Sequence, residues 1–599
     1  MKNKKTQHTF HIPVMGLSYT IDSPIKVSHL GISSVMSIFE HNFIEKMREF
    51  YSKKFNFPYE PITSKIEDFR AKRITSYLNL VDKIVKENIQ TLKNSVNEKS
   101  EELEKYFDLL PSYSDLKQRF QALIENNSSL KEIQKWLNEN LTFGDLDVNI
   151  MTKLDGENYN GKEKLPVEHN HAHAALRGFA NSTLKSSIVF SAGMNPRLFG
   201  YMEKFEDFYP DSEGNFNKKI ILKVSDYRSA IIQGKFFAKK GLWISEYRVE
   251  SGLNCGGHAF ASDGYLLGPI LEEFKNKKDE LLKTTYEIFT AALVRKDRTV
   301  PSAIPEVKLT AQGGVGTADE HQFLLENYNL DSVGWASPFM LVPEATSVEE
   351  NTFKILSDAK EEDLYLSKAS PLGVPFNNVK GSTKDLQRSQ KAQTDNPGSA
   401  CPKKFLTFNK EFTEQPICTA SNQYIKIKLD EIQKENLPEE EFKAKYDVLT
   451  EKECLCNGLS NSSLLVNGLD VKMEGPAVSV CPGPNIAYFS GKFSMKEMVD
   501  HIYGRVNILN TDTRPNLFIK ELKMYIDYLK DKFSEITEPI SDKQVKYFDT
   551  FIKNMHDGIE YYKNLFEENK VKLKDVYERA IHDLERLEME LNSFALVKI

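Results

Sequence analysis

The run from Lys219 to His258, KIILKVSDYRSAIIQGKFFAKKGLWISEYRVESGLNCGGH, limits the possible folds more than any other part of the chain. It opens on an apolar strand, Ile220 to Val224, interrupted only by Lys223. A helix-period segment follows with Ala230, Ile231, Gly234 and Phe237 on one face, and Gly241 stands where a helix C-cap is expected. A second strand, Trp243 to Val249, then enters a glycine-rich turn holding Cys255, Gly256, Gly257 and His258. Strand, helix and strand with short connections form a right-handed βαβ unit with parallel strands. Lys223 and the glycine turn therefore lie at the C-terminal ends of neighbouring strands, the rim where parallel barrels build their sites.

A second stretch has the same form. Lys308 to Gly314 (KLTAQGG) reads as a strand ending in Gly313-Gly314, followed by a helix carrying Phe323, Leu324 and Leu325. Asp331 to Phe339 (DSVGWASPF) reads as another strand, ending in Gly334 and Ser337. Adjacent strand ends that both offer glycine and backbone N–H groups suit a phosphate, because only glycine lets the backbone approach it so closely.

The order strand-Lys, strand-GGH, strand-GG and strand-G-x-x-S resembles the FMN-dependent TIM barrels of the nitronate monooxygenase group, which includes flavin enoyl-ACP reductases and the reductases of polyunsaturated fatty acid synthases. His11 to Leu17 (HIPVMGL) and Gly31 to Ile38 (GISSVMSI) are similar to that group's first two strands. Asp145 to Met151 (DLDVNIM) and Ser187 to Pro196 (SIVFSAGMNP) are similar to its third and fourth. The resemblance covers roughly residues 10–40 and 142–345. It implies an α/β fold, a (β/α)8 barrel, with a large helical insertion after the second strand and a Cys-containing, mainly helical C-terminal extension.

The resemblance also implies FMN as cofactor and an oxidoreductase acting on a small organic substrate. Met15, Gly16, Asn149, Lys223, Gly256 and Gly257 would border the flavin, and Gly313, Gly314, Gly334 and Ser337 would hold its phosphate. Lys223 would lie near the ring edge where a positive charge stabilises the reduced flavin. His258 would act as general acid or base, with Cys255 next in line. The sequence departs from the group at Asn254-Cys255, just before the glycine turn, which leaves the substrate open.

Length divides the rest. A chain of 599 residues is too long for one compact core, so two or three folding units are expected. We place the barrel start at 1–40, the helical insertion at 41–141, the rest of the barrel at 142–378, a polar linker at 379–400, a cysteine-bearing region at 401–494 and a helical region at 495–599. The insertion reads as a lid, a partner surface or plain scaffold. The last helix presents Val576, Ala580, Ile581, Leu584 and Leu587 on one face, suited to packing on the barrel or to a homo-oligomer contact.

A net charge of −7 argues against nucleic acid as the main partner. The basic N-terminus lacks the apolar run of a secretory signal, and nothing reads as a transmembrane span, so a cytoplasmic protein is expected.

Two clusters offer metal chemistry. His169, His171 and His173 (HNHAH) would point the same way on an extended segment and bind a metal, or belong to a surface loop. Cys401, Cys418, Cys454, Cys456 and Cys481 offer five candidates for the four places of an iron–sulfur cluster, with Cys454 against Cys456 undecided; the other reading is ordinary buried cysteine. A cluster would relay single electrons between the flavin and an electron-transfer partner. Two rival functions stand beside the flavoenzyme: a flavin-free phosphate-binding isomerase or lyase, and a barrel that serves as an interaction subunit.

Overall fold

Eight short strands carry outward apolar residues that must be covered and inward residues that must fill a closed ring. They are β1 (Phe10–Ile12), β2 (Ser33–Ser37), β3 (Leu146–Met151), β4 (Ser187–Ser191), β5 (Lys219–Val224), β6 (Ile244–Glu250), β7 (Lys308–Gln312) and β8 (Ser332–Gly334). Each pairs in parallel with its sequence neighbour, and β8 pairs with β1, so the barrel closes in chain order. The computed structural model describes residues 7–95, 101–191, 193–255, 263–472, 475–536 and 540–595.

The period of two sorts the side chains. Val148 and Ile150, Ile188 and Phe190, and Ile220 and Leu222 face out into the main hydrophobic core. Val35, Val189 and Ile221 form a separate small cluster with Val14. The helix Tyr227–Lys239 between β5 and β6 is the one anticipated from Ala230, Gly234 and Phe237. Asp226 caps its start on the Ser229 N–H at 2.6 Å, and Gly241 follows its end at φ +71°.

Residues 41–141 divide in two. The helices His41–Lys54 and Phe69–Asn94 pack on the barrel and share its core, as the cover between β2 and β3. The helices Glu101–Leu109, Asp115–Glu125 and Leu130–Asn140 enclose a small core of their own around Tyr106, Phe107, Ile133 and Leu137.

The span 379–400, expected as a linker, is ordered. Ser382 caps a helix over Thr383–Ala392, Lys384 is buried, and its N–H bonds the Val478 carbonyl at 3.1 Å. The polar composition that suggested a linker belongs to an amphipathic helix laid on the extension.

The extension contributes to the barrel's own core, from Phe405 through Val478 and Ile486 to Leu591. The helices Leu517–Ser534, Asp542–Glu568 and Lys574–Ala595 form its last part. Among the described residues no helix is long and apolar enough to cross a membrane.

Candidate active site at the barrel mouth

The barrel interior is unusually polar. Alternation along β6 turns Glu246, Arg248 and Glu250 inward, and β7 adds Lys308, Thr310 and Gln312. Deep in the ring, Arg248 donates to Glu246 Oε1 from Nε at 2.8 Å and pairs with it through Nη2 at 2.7 Å; the Thr310 hydroxyl donates to the same oxygen at 2.6 Å. Burial, with Asp145 adding to it, pushes the Asp147 carboxyl up to about 7 against the pull of Arg248. His11 bonds the Ser332 hydroxyl at 3.0 Å, and burial beside Arg248 holds its pKa well below the ordinary value, so the ring is neutral.

At the mouth, Lys223 Nζ pairs with Glu250 Oε1 at 2.6 Å. Gln312 Nε2 donates to Glu250 at 2.8 Å and to Asn254 Oδ1 at 3.2 Å, and Asn254 Nδ2 returns to Glu250 at 2.5 Å. The lysine is thus fixed by a carboxylate that three donors share. One buried acceptor inside the ring, Asn149 Oδ1 on β3, has no partner; across the ring on β7, Gln312 bonds the His11 side chain. An unmet buried acceptor costs about 1–3 kcal/mol, so the Asn149 oxygen suits a ligand that presents an N–H group.

The glycine turns after β7 and β8 are crowded by the chain itself. Gly313 and Gly314 take φ +110° and +84°. A Cβ on Gly314 would stand 2.6 Å from Leu253 Cδ1, and one on Gly313 would stand 3.0 Å from Asn254 N. Packing of the β6 turn therefore accounts for both glycines. The Gly316 N–H is taken by Glu320 Oε2 at 2.9 Å. Arg514 bonds Glu320 Oε1 at 2.7 Å, the Gly314 carbonyl at 2.6 Å and Asn485 Oδ1 at 3.0 Å. An internal carboxylate and arginine thus occupy the start of the helix Ala318–Asn327.

Gly334 lies within β8, where a Cβ would meet Gln312 Cβ at 2.6 Å and His11 Nε2 at 3.0 Å. Ser337 opens a buried 3-10 segment against Gly483 and Cys255. Cys255 donates to the Cys481 carbonyl at 3.1 Å, and burial with Cys481 beside it keeps its thiol protonated. After β1, Met15 is buried with its N–H on Thr20 Oγ1 at 3.2 Å, and Gly16 at φ +55° packs against Tyr19 and Leu459. The extension therefore roofs the mouth above β1, β6 and β8.

Gly256, Gly257 and His258 lie outside the described residues. Of the other expected site residues, the structure brings Asn149, Lys223, Cys255, Gly313, Gly314, Gly334 and Ser337 to the C-terminal ends of β3 and β5–β8.

The histidine expectation is corrected. A helix begins at His171, so the three histidines do not alternate along an extended segment. His173 Nδ1 pairs with Asp155 Oδ2 at 2.9 Å, a carboxylate too distant in sequence to be noticed, and His171 packs against Phe405. The cysteine expectation is corrected too. All six cysteines are buried: the Cys401 and Cys418 thiols bond each other with Cys456 beside them and Cys454 beside Cys456, while Cys481 lies against Cys255. Among the described residues no three His, Cys, Asp or Glu side chains are placed to hold a metal ion.

Sequence reading missed Glu250, Gln312, Glu320, Arg514 and Glu521. Glu250 and Gln312 were open to discovery, since they keep the inward phase set by Lys223 on neighbouring strands. Glu521 was not. It accepts from the Ser251 hydroxyl at 2.7 Å and the N–H groups of Gly252 and Leu267 at 3.1 and 2.8 Å, across some 250 residues that no local pattern links.

No protein-family profile matches the sequence, and no curated protein matches it. Among solved structures, the enoyl reductase domain of MlnA from the macrolactin biosynthesis cluster of Bacillus amyloliquefaciens aligns at 15% identity and a TM-score of 0.33, covering 70% of this chain and 88% of its own. FabK from Thermotoga maritima aligns at 10% and 0.34, covering 87% and 96%. The nitroalkane oxidase from Streptomyces ansochromogenes aligns at 8% and 0.32, covering 83% and 96%. Similarities this low carry no argument about function, and the barrel assignment stands on its own strand ladder.

Proposed function

We infer that the protein is an FMN-dependent oxidoreductase acting on a small organic substrate at the barrel mouth. The observation that carries this reading is the Lys223–Glu250–Gln312 cluster together with the unpartnered buried acceptor Asn149 Oδ1 elsewhere in the same ring. The pyrimidine edge of a flavin carries an N–H between two carbonyl groups, which suits a ring holding both a cation, Lys223, and a buried acceptor, Asn149 Oδ1. When bound, FMN supplies electron and hydride exchange with organic molecules.

On this reading Lys223 holds a positive charge against the carbonyl edge of the ring, and Glu250 fixes where that charge sits. Asn149 sets the ring's orientation. Cys481 and Gly483 exclude water from the β6 and β8 sides. The Gly313-Gly314 backbone would hold the phosphate, while Gly316 contributes nothing because Glu320 already takes its N–H and the Ser337 hydroxyl is covered by Gly483 and Cys255. His258 serves as proton donor on sequence grounds alone. Nitronate and enoyl thioester substrates are the first to try.

Titration of FMN into the apoprotein, followed by flavin fluorescence, tests this reading. Wild type should saturate at one FMN per chain, and Lys223→Met should bind at least about tenfold more weakly, a loss of about 1.4 kcal/mol. Equal affinity in the two proteins would remove Lys223 from the site, and no binding to wild type would remove the flavin.

A further inference from the structure

On the other side of the mouth the loops after β3 and β4 enclose a cavity of about 410 Å³ that the flavin reading does not use. Its frame is fixed by the strand ends. Thr152 Oγ1 donates to the Ser191 carbonyl at 2.9 Å, and Asn195 Nδ2 donates to the Thr152 carbonyl at 3.0 Å. Residues 407–416 of the extension close the third wall.

The charges around this cavity are not balanced. Asp155 is committed inward, to the Ala172 N–H at 3.1 Å and His173 Nδ1 at 2.9 Å. Glu157 is neutralised by Lys164 and by Lys410 at 3.3 Å. Arg197 also borders the cavity, and its guanidinium is exposed and makes no ion pair or side-chain hydrogen bond among the described residues. Phe408 stands at the edge with 39% of its surface exposed. Asn170, only 3% exposed, lines the wall; its Nδ2 donates to the Asp155 carbonyl at 3.2 Å, and its Oδ1 has no partner.

A guanidinium fork, an exposed aromatic face and a lone acceptor define complementary chemistry. The fork takes a carboxylate through two parallel hydrogen bonds, the ring stacks a planar group, and the acceptor needs an O–H or N–H. The volume falls within the range of ordinary small-molecule sites. We propose that this cavity binds a small aromatic carboxylate bearing a hydroxyl or amino group, with Arg197 on the carboxylate, Phe408 on the ring and Asn170 Oδ1 on the donor. The site is independent of the flavin, so either proposal can fail alone.

Calorimetric titration of the full chain with 4-hydroxycinnamate tests it, with unsubstituted cinnamate for comparison. Wild type should bind 4-hydroxycinnamate, Arg197→Gln should bind it about tenfold more weakly, and cinnamate should bind wild type several-fold more weakly for want of a donor. Arg197 is on the surface, so its variant should melt like wild type. Phe408→Ala should also weaken binding without changing the melt. No measurable binding by wild type would overturn the assignment, as would equal affinities in wild type and Arg197→Gln.

Discussion

Lys223 illustrates how one side chain can be constrained twice, by its partner and by what the partner shares. Its Nζ is held by Glu250, which also receives Gln312 and Asn254. Lys223→Met should strand that carboxylate and lower stability by a few kcal/mol. Adding Glu250→Gln should restore most of the melting temperature without restoring FMN affinity, which a thermal melt and a titration on the double variant would separate. Asp147 offers a pH test. Its folded pKa of about 7 lies above the ordinary 3.8, so the folded state holds its proton more tightly than the unfolded chain does. Stability from this group is full below pH 4 and is lost as pH rises toward 7. Asp147→Asn should keep the oxygen that accepts from Ser186 and Ser187 and should raise the melting temperature at pH 8 but not at pH 4. A gain of equal size at both pH values would contradict the assignment. Lys223 was visible in the sequence as a polar residue interrupting an apolar strand, and Asn149 through the family resemblance of its strand. Glu250 was less visible because β6 alternates charged and apolar residues throughout, leaving no interruption to notice.

At the scale of elements, β5–β8 and the helix between β5 and β6 could be read from the residues, with Gly241 marking the helix end, while β1–β4 were read through the family resemblance. The glycine turns could be located but not explained. Glycine after a strand suits a phosphate, a close backbone neighbour or both, and only the fold shows Leu253 and Asn254 lying on Gly313 and Gly314. Gly314→Ala should therefore cost about 1–3 kcal/mol from strain at φ +84° together with the clash on Leu253. The loss should be the same in melts with and without FMN, since alanine keeps the backbone N–H; a loss seen only with FMN would make the phosphate, and not packing on Leu253, the reason for glycine here. Glu320→Gln should be more damaging, by about 3–5 kcal/mol, because it leaves buried Arg514 without its carboxylate. The histidine run misled because a helix start at His171 replaced the expected strand period.

At the scale of the molecule, the extension is part of the barrel's core and roof. Residues from Phe405 to Leu591 share one hydrophobic cluster with the barrel, and Glu521 pins the β6 turn from a helix late in the chain. A chain ending at residue 400 should consequently fail to give a cooperative melt; a sharp two-state melt would show the barrel to be self-sufficient. The apolar face of the last helix showed that it packs against something, but which segments meet was not legible, because contacts between segments hundreds of residues apart leave no periodic trace in either. The same roof would exclude water from a flavin bound at the barrel mouth, as proposed. The most direct measurement is the flavin content of the full chain as purified, by absorbance and by identification of the cofactor released on denaturation. The account predicts close to one FMN per chain in wild type and a marked loss in Lys223→Met. A colourless wild-type protein that takes up no added FMN would contradict it.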